Sequence, residues 1–119
     1  MEIEWLKFRV NPDRREEFVQ KDAEIWTAAL SQYPGFISKE VWISPDDLAE
    51  VVQVIRWETF EQWQAIPPQA LEQIEAQFRQ SMGDSYELLE SSRYQIRKFS
   101  NETEHQSLRQ AHHPYGRGR

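Results

Sequence analysis

Glu2–Val10 alternates with a period of two, yet both of its faces carry apolar residues. Leu6, Phe8 and Val10 fall on one side, and Ile3 and Trp5 fall on the other beside Lys7 and Arg9. Alternation marks a strand, and apolar residues on both sides require cover on both sides. Glu50–Glu58 repeats the demand, with Val51, Val52, Val54 and Ile55 supplying the β-branched residues that suit a pleated surface. A chain of 119 residues fits a single domain. The central constraint is therefore a sheet that is apolar on two faces in a chain with few elements to cover it.

The other elements follow from local signals. Asn11-Pro12-Asp13 caps and opens a helix expected to run to about Gln32, with Val19, Ala23, Trp26 and Leu30 as its apolar stripe and Phe18, Ile25 and Ala29 widening it. Asp22 sits inside that widened stripe. Tyr33-Pro34-Gly35 stops the helix, and Phe36 to Ser44 reads as a strand. The turn Ser44-Pro45-Asp46-Asp47 joins it to Glu50–Glu58 as an antiparallel hairpin. Thr59-Phe60-Glu61-Gln62 has the pattern of a capping box. The helix it opens meets Pro67-Pro68 after about two turns, and a tandem proline must break it. A longer helix with Leu71, Ile74, Phe78 and Met82 on one side ends at Gly83, and Tyr86 to Phe99 is a last strand, expected to bulge near Ser91-Ser92 because of its length.

The order is β-α-β-β-α-β. Two right-handed crossovers place both helices on one face of a four-stranded antiparallel sheet, the ferredoxin-like α+β arrangement. The other face keeps Ile3, Trp5, Trp42 or Ile43 and one set from Val51 to Trp57. An apolar surface of that extent marks an interface, so the chain is expected to pair with a second copy, sheet against sheet. The domain is expected to span residues 1–100, followed by a polar, basic tail over 101–119.

Composition narrows the chemistry. The sequence has no cysteine, which removes disulfides, thiolate metal sites and cysteine nucleophiles. All 20 acidic residues lie at or before Glu104, and Arg109, Arg117 and Arg119 follow it, so the body is acidic and the tail basic. An acidic body repels phosphate backbones, and nucleic acid is not expected as a partner. No window approaches a membrane span and no targeting segment is visible, so a cytoplasmic protein is expected. His105, His112 and His113 match no ligand spacing, and no metal is expected. Gly-rich phosphate loops are absent, so neither dinucleotide nor ATP binding is supported.

Trp26-Thr27, Tyr33-Pro34-Gly35-Phe36 leading into Lys39-Glu40-Val41-Trp42, and Ile55-Arg56-Trp57-Glu58 leading into Phe60-Glu61-Gln62-Trp63 together give the chain its family character. It resembles the antibiotic-biosynthesis-monooxygenase-like group of the dimeric α/β-barrel superfamily, and more narrowly small cyanobacterial members of that group. The resemblance covers roughly residues 2–99. It implies a cavity between sheet and helices. It also implies either oxidation of quinol-like aromatics by O₂ without a prosthetic group, or haem degradation. Haem degraders of this kind pair a Trp, matched here by Trp63, with a His some ten residues on and an Asn on the first strand. The His position falls near Gln73 and the first strand has no Asn, so no cofactor is expected.

The candidate site residues each have two readings. Trp26, Trp57 and Trp63 are an aromatic wall for a flat ligand, or ordinary core packing. Asp22 is a buried base raised in pKa, or a partner for Arg56 or a neighbouring Lys. Glu40 and Arg56 are an ion pair inside the cavity that orients a phenol or carboxylate, or a cross-strand pair worth at most roughly 1 kcal/mol. With Asp22 and Arg56 handling proton and charge, the chain reads as a cofactor-free monooxygenase for a small aromatic or quinol. The alternatives are a dimer that holds an apolar metabolite unchanged, and a stress-response or assembly protein acting through its dimer surface and tail.

Overall fold

A computed structural model describes residues 1–98. The tail expected over 101–119, with its three histidines, lies outside the described residues. The strands are β1 (Glu2–Val10), β2 (Phe36–Ile43), β3 (Glu50–Trp57) and β4 (Tyr86–Gln95), in the spatial order β2-β3-β1-β4 with every pairing antiparallel. Between β1 and β2 runs one long helical segment. A 3₁₀ turn (Pro12–Arg14) leads into α1 (Arg15–Asp22), a π-helical turn (Ala23–Thr27) and α2 (Ala28–Leu30). Between β3 and β4 come α3 (Phe60–Gln64) and α4 (Pro68–Met82). The βαββαβ order and the four-stranded antiparallel sheet are those read from the sequence. Among the described residues, no helix is long and apolar enough to cross a membrane.

Local chemistry sets the boundaries. The Asn11 side chain accepts from the Asp13 amide at 3.0 Å, and Thr59 Oγ1 accepts from the Gln62 amide at 3.1 Å. The tandem proline splits the second crossover as its chemistry requires. Pro68 takes the first helical position of α4, where it has no hydrogen bond to lose. At the far end of α4, the Arg14 guanidinium donates to the carbonyls of Met82 and Ser81 at 2.9 and 3.1 Å, satisfying groups the helix leaves open. The bulge falls earlier than expected. β1 and β4 shift register between Lys7 and Phe8, where Lys7 faces Glu90 and Phe8 faces Leu88, so the spare residue is Leu89 and not Ser91 or Ser92.

The stripe on the first helix is also rotated from the expected one. Phe18, Asp22 and Leu30 are buried and Ala23 is exposed. Four-residue steps on a regular α-helix turn by about 40° each, so Phe18, Asp22, Trp26 and Leu30 would wind off one face. The π-helical turn, closed by longer-range bonds than an α-turn, absorbs part of that drift and keeps all four toward the sheet.

The helix-side core is divided. One cluster gathers Val10, Phe18, Val51, Phe78, Met82 and Tyr86, with the Phe18 ring 5.4 Å from Phe78 and the Phe78 ring 5.0 Å from Tyr86. The other gathers Leu30, Ile55, Trp57 and Ile66, with Trp57 fully buried and edge-on to Phe36. On β3, Val51 belongs to the first cluster and Ile55 to the second. Between them on the same face stands Gln53.

The opposite face of the sheet carries a third cluster, Ile3, Val52 and Val54, flanked by Trp5 and Ile96. Trp42 and Tyr94 share that face and are about half exposed, at 48% and 55%.

Gly35 fixes the junction between β2 and α3. Its φ of 91° is a region that side-chain-bearing residues avoid, and a Cβ there would lie 2.4 Å from Gln62 Oε1 and 2.6 Å from Gln62 Cβ. Its carbonyl accepts from the Glu58 amide at 2.8 Å. Gly35→Ala is expected to destabilise the fold by about 1–3 kcal/mol. Urea denaturation should show a lower midpoint with an unchanged slope; an unshifted midpoint would contradict this account of the junction.

Candidate functional site

The gap between the two helix-side clusters is a cavity of about 470 Å³, within the range of small-molecule sites. Its walls are aromatic and aliphatic. Phe18, Trp26 and Leu30 come from the first helical segment, Trp63 from α3, and Leu71 and Phe78 from α4. Its floor is a patch of polar residues on the sheet. Register explains the patch. Glu4 of β1 and Lys39 of β2 both pair with Ile55, and in the next row Leu6 and Val41 pair with Gln53. Side chains two apart on one strand share a face, so Glu4, Lys39 and Gln53 rise from adjoining rows of one surface. Asp22 hangs over them from the helix.

Asp22 is 1% exposed, and the Lys39 side chain is 2% exposed. The Lys39 ammonium donates to Asp22 Oδ1 at 2.9 Å and lies 2.8 Å from Oδ2, without a hydrogen bond to the latter. Burial pushes the Lys39 amine below the usual lysine range, and the charge and hydrogen bond of Asp22, with the charge of Glu4, push it back up. Burial raises the Glu4 carboxyl above the usual carboxylate range, against the hydrogen bond it accepts from Trp57 Nε1 at 3.2 Å and the nearby Lys39 charge. Gln53 is 3% exposed, and its Nε2 finds no acceptor among the described residues. A second polar group closes the cavity nearer α4. The Tyr86 hydroxyl donates to Glu75, and the Arg79 guanidinium sits 4.8 Å over the Tyr86 ring and 3.3 Å from the same carboxylate. Burial and Glu75 both drive the Tyr86 phenol upward.

The structure separates the residues expected from sequence. Asp22, Trp26 and Trp63 line the cavity. Trp57 is packed beneath it and positions Glu4 through its indole nitrogen. Glu40 and Arg56 do form a pair, at 2.9 Å, but outside the cavity. Arg56 pairs with Ile3 and Glu40 with Val54, so parity puts both on the face turned away from the helices, where Trp42 Nε1 also donates to Glu40 at 3.0 Å. Asp22 is neutralised by Lys39 and not by Arg56. Lys39, Glu4 and Gln53 were missed, although Lys39 and Gln53 leave a trace: each is a polar residue with apolar residues two positions away on both sides, whereas Glu4 stands between Glu2 and Leu6. No group of three metal-ligating side chains occurs among the described residues.

The sequence profile of the family described as antibiotic biosynthesis monooxygenase matches residues 3–66, more than half of the chain. The chain belongs to the antibiotic biosynthesis monooxygenase family. The matched region carries β1 to α3, and with them Glu4, Asp22, Lys39 and Gln53 of the cavity. No curated protein matches the chain. Among solved structures, SnoaB, a cofactor-independent oxygenase of Streptomyces nogalater, superposes with a TM-score of 0.62 at 18% identity, covering 85% of this chain and 98% of its own. The ActVA-Orf6 monooxygenase of Streptomyces coelicolor, solved with nanaomycin D, gives 0.63 at 18% identity over 84% and 90%. A Bordetella bronchiseptica protein assigned to the antibiotic biosynthesis monooxygenases gives 0.64 at 17% identity over 83% and 97%. At these identities the likeness is one of fold.

Glu4 supplies a pH test of the buried floor. Its carboxyl has its ordinary value of 4.5 in the unfolded chain and a higher one in the folded state. Between those values the native state binds more protons, so this group's contribution to stability falls as pH rises and levels off above the folded pKa. Glu4→Gln should remove that component. The stability of the wild type minus that of Glu4→Gln, from urea midpoints across a pH series, is expected to decline from pH 4.5 upward. A flat difference would show that Glu4 is not desolvated.

Proposed function

We propose that this family member is a cofactor-independent oxygenase acting on a small aromatic of the quinol type, bound between sheet and helices. One observation carries the reading: an apolar, aromatic-walled cavity with the buried Asp22–Lys39 pair on its floor. An electron-rich quinol reduces O₂ once deprotonated, so the protein has to bind it, orient it and take its proton. Trp26 and Trp63 supply flat surface for a ring, and the floor supplies hydrogen bonds at one end. Asp22 is the proton acceptor. Glu40 and Arg56 belong to the other face and act there and not on substrate.

That other face supports a homodimer. Ile3, Val52 and Val54 with Trp5, Trp42 and Tyr94 form an apolar surface that the helices leave uncovered, and a second sheet packed against it removes that surface from water. Light scattering at micromolar concentration is expected to return about twice the 14.3 kDa of one chain. Trp5→Glu is expected to shift it toward the single-chain value.

The activity is tested by oxygen uptake with a panel of substituted hydroquinones. Uptake should fall by roughly 10²-fold or more in Asp22→Asn. No uptake with any quinol, together with native mass spectrometry showing an aromatic retained and released unchanged, would make the protein a carrier.

A further inference from the structure

Gln53 is an anomaly for a residue whose only task is folding. It occupies a central strand, on the inner face, between two apolar clusters, and its amide nitrogen has no acceptor among the described residues. A buried donor left unpaired is costly, and an apolar residue of similar shape would serve the core better. Lys39 adds a second observation. Its ammonium carries three hydrogens, and its side-chain contacts among the described residues are to one carboxylate, Asp22, at 2.9 Å from Oδ1 and 2.8 Å from Oδ2. Lys39 pairs with Ile55, and Gln53 lies two residues away along the same strand. Diagonal neighbours of this kind have centres about 7–8 Å apart, a span that two long side chains close over a single ligand atom. Both line the cavity.

We propose that Lys39 Nζ and Gln53 Nε2 form an oxyanion-holding pair for a ligand hydroxyl that gives its proton to Asp22, so that the site selects neutral aromatics with an acidic O–H. This rests on the reading of the cavity as an aromatic-binding site and adds two catalytic residues to it. In the step, the ligand O–H bond breaks and the proton passes to the Asp22 carboxylate. The electron pair stays on the ligand oxygen, facing the Lys39 and Gln53 donors. Lys39 has an anion beside it before and after, first Asp22 and then the ligand, so the number of buried charges does not change. That conservation matters where desolvated charge is expensive, and fixed donors aimed at a developing oxyanion are the strongest form of such stabilisation.

The same charge count fixes selectivity. The floor holds two carboxyl groups, Asp22 and Glu4, around one ammonium. A ligand that arrives as an anion brings a further negative charge to this cluster, whereas a neutral phenol becomes anionic only as Asp22 is neutralised.

The experiment is a spectroscopic titration of 4-nitrophenol bound to the full chain, because its phenol and phenolate absorb at different wavelengths. The titratable groups facing the probe are Asp22 from the first helix, Glu4 from β1, Lys39 from β2, Tyr86 from β4, and Glu75 and Arg79 from α4. The bound probe is expected to ionise at lower pH than the free probe, and 4-nitrobenzoate is expected to bind roughly tenfold more weakly. Gln53→Leu should weaken phenolate binding by about tenfold and raise the bound probe's apparent pKa. It should also raise the melting temperature by a few degrees, roughly, because an unpaired polar group has been removed. A residue present for packing alone would not yield that opposite pair of effects. Lys39→Met strands Asp22 in the interior and is therefore made together with Asp22→Asn; the double variant should bind the phenol form and not the phenolate. A wild-type probe that ionises at or above its free value, a probe that does not bind at millimolar concentration, or Gln53→Leu with unchanged affinity would each overturn the proposal. The readout needs no turnover, so absence of oxygen uptake defeats the oxygenase reading and leaves this one standing.

Discussion

Two helical layers cannot cover two faces of one sheet when both descend on the same side. β1 and β3 form the middle of the sheet and are paired along both edges, and their residues alternate between the helix-covered surface and the bare one. The remainder of the architecture answers to that constraint. The inner surface takes the crossovers, the outer surface gathers Ile3, Val52 and Val54 under Trp5, and the choice of face for each side chain is a matter of parity. A shift of one residue in register would exchange the faces, which is why apolar residues on both sides make the sheet so dependent on pairing.

The inner surface is not optimised as a core. Continuous apolar packing from Val51 through Ile55 would join its two clusters and fill the hollow, and cores of native density gain stability from being filled. The chain instead places Gln53 in the break, sets Glu4 and Lys39 in the adjoining row, and lowers Asp22 onto them from a helix whose winding is locally widened. Replacing a buried ion pair with apolar residues of similar size is often neutral or stabilising. An arrangement that gives up stability in one compact place, inside a cavity of ligand size, is characteristic of a binding or reacting site.

Much of this was legible in the sequence because it depends on short-range rules. Alternation in Glu2–Val10, the Asn11-Pro12 and Thr59–Gln62 starts, the Pro34-Gly35 stop and the Pro67-Pro68 break each act within a few residues, and together they yield the element order. The site was legible only in part. Asp22 was visible as a carboxylate in an apolar stripe, and Trp26 and Trp63 as aromatics at cavity height. Lys39 and Gln53 were passed over because a lone polar residue in a strand looks solvated until the elements covering it are known. Glu40 and Arg56 were paired correctly and assigned to the wrong side, since sequence spacing gives their mutual distance and not which face receives the helices.

The sequence by itself determined the order of strands and helices, the antiparallel hairpin, the helix stop at Pro34-Gly35 and the excess of apolar surface, because these rest on backbone chemistry and local periodicity. Only the tertiary structure decided that Lys39 is the counterion of Asp22, that Gln53 lacks an acceptor, and that Arg56 stands outside the cavity. Those facts arise from strand register and from the π-helical turn that brings Trp26 and Leu30 back into line with Phe18 and Asp22. Both are settled by long-range packing and not by any single position in the chain.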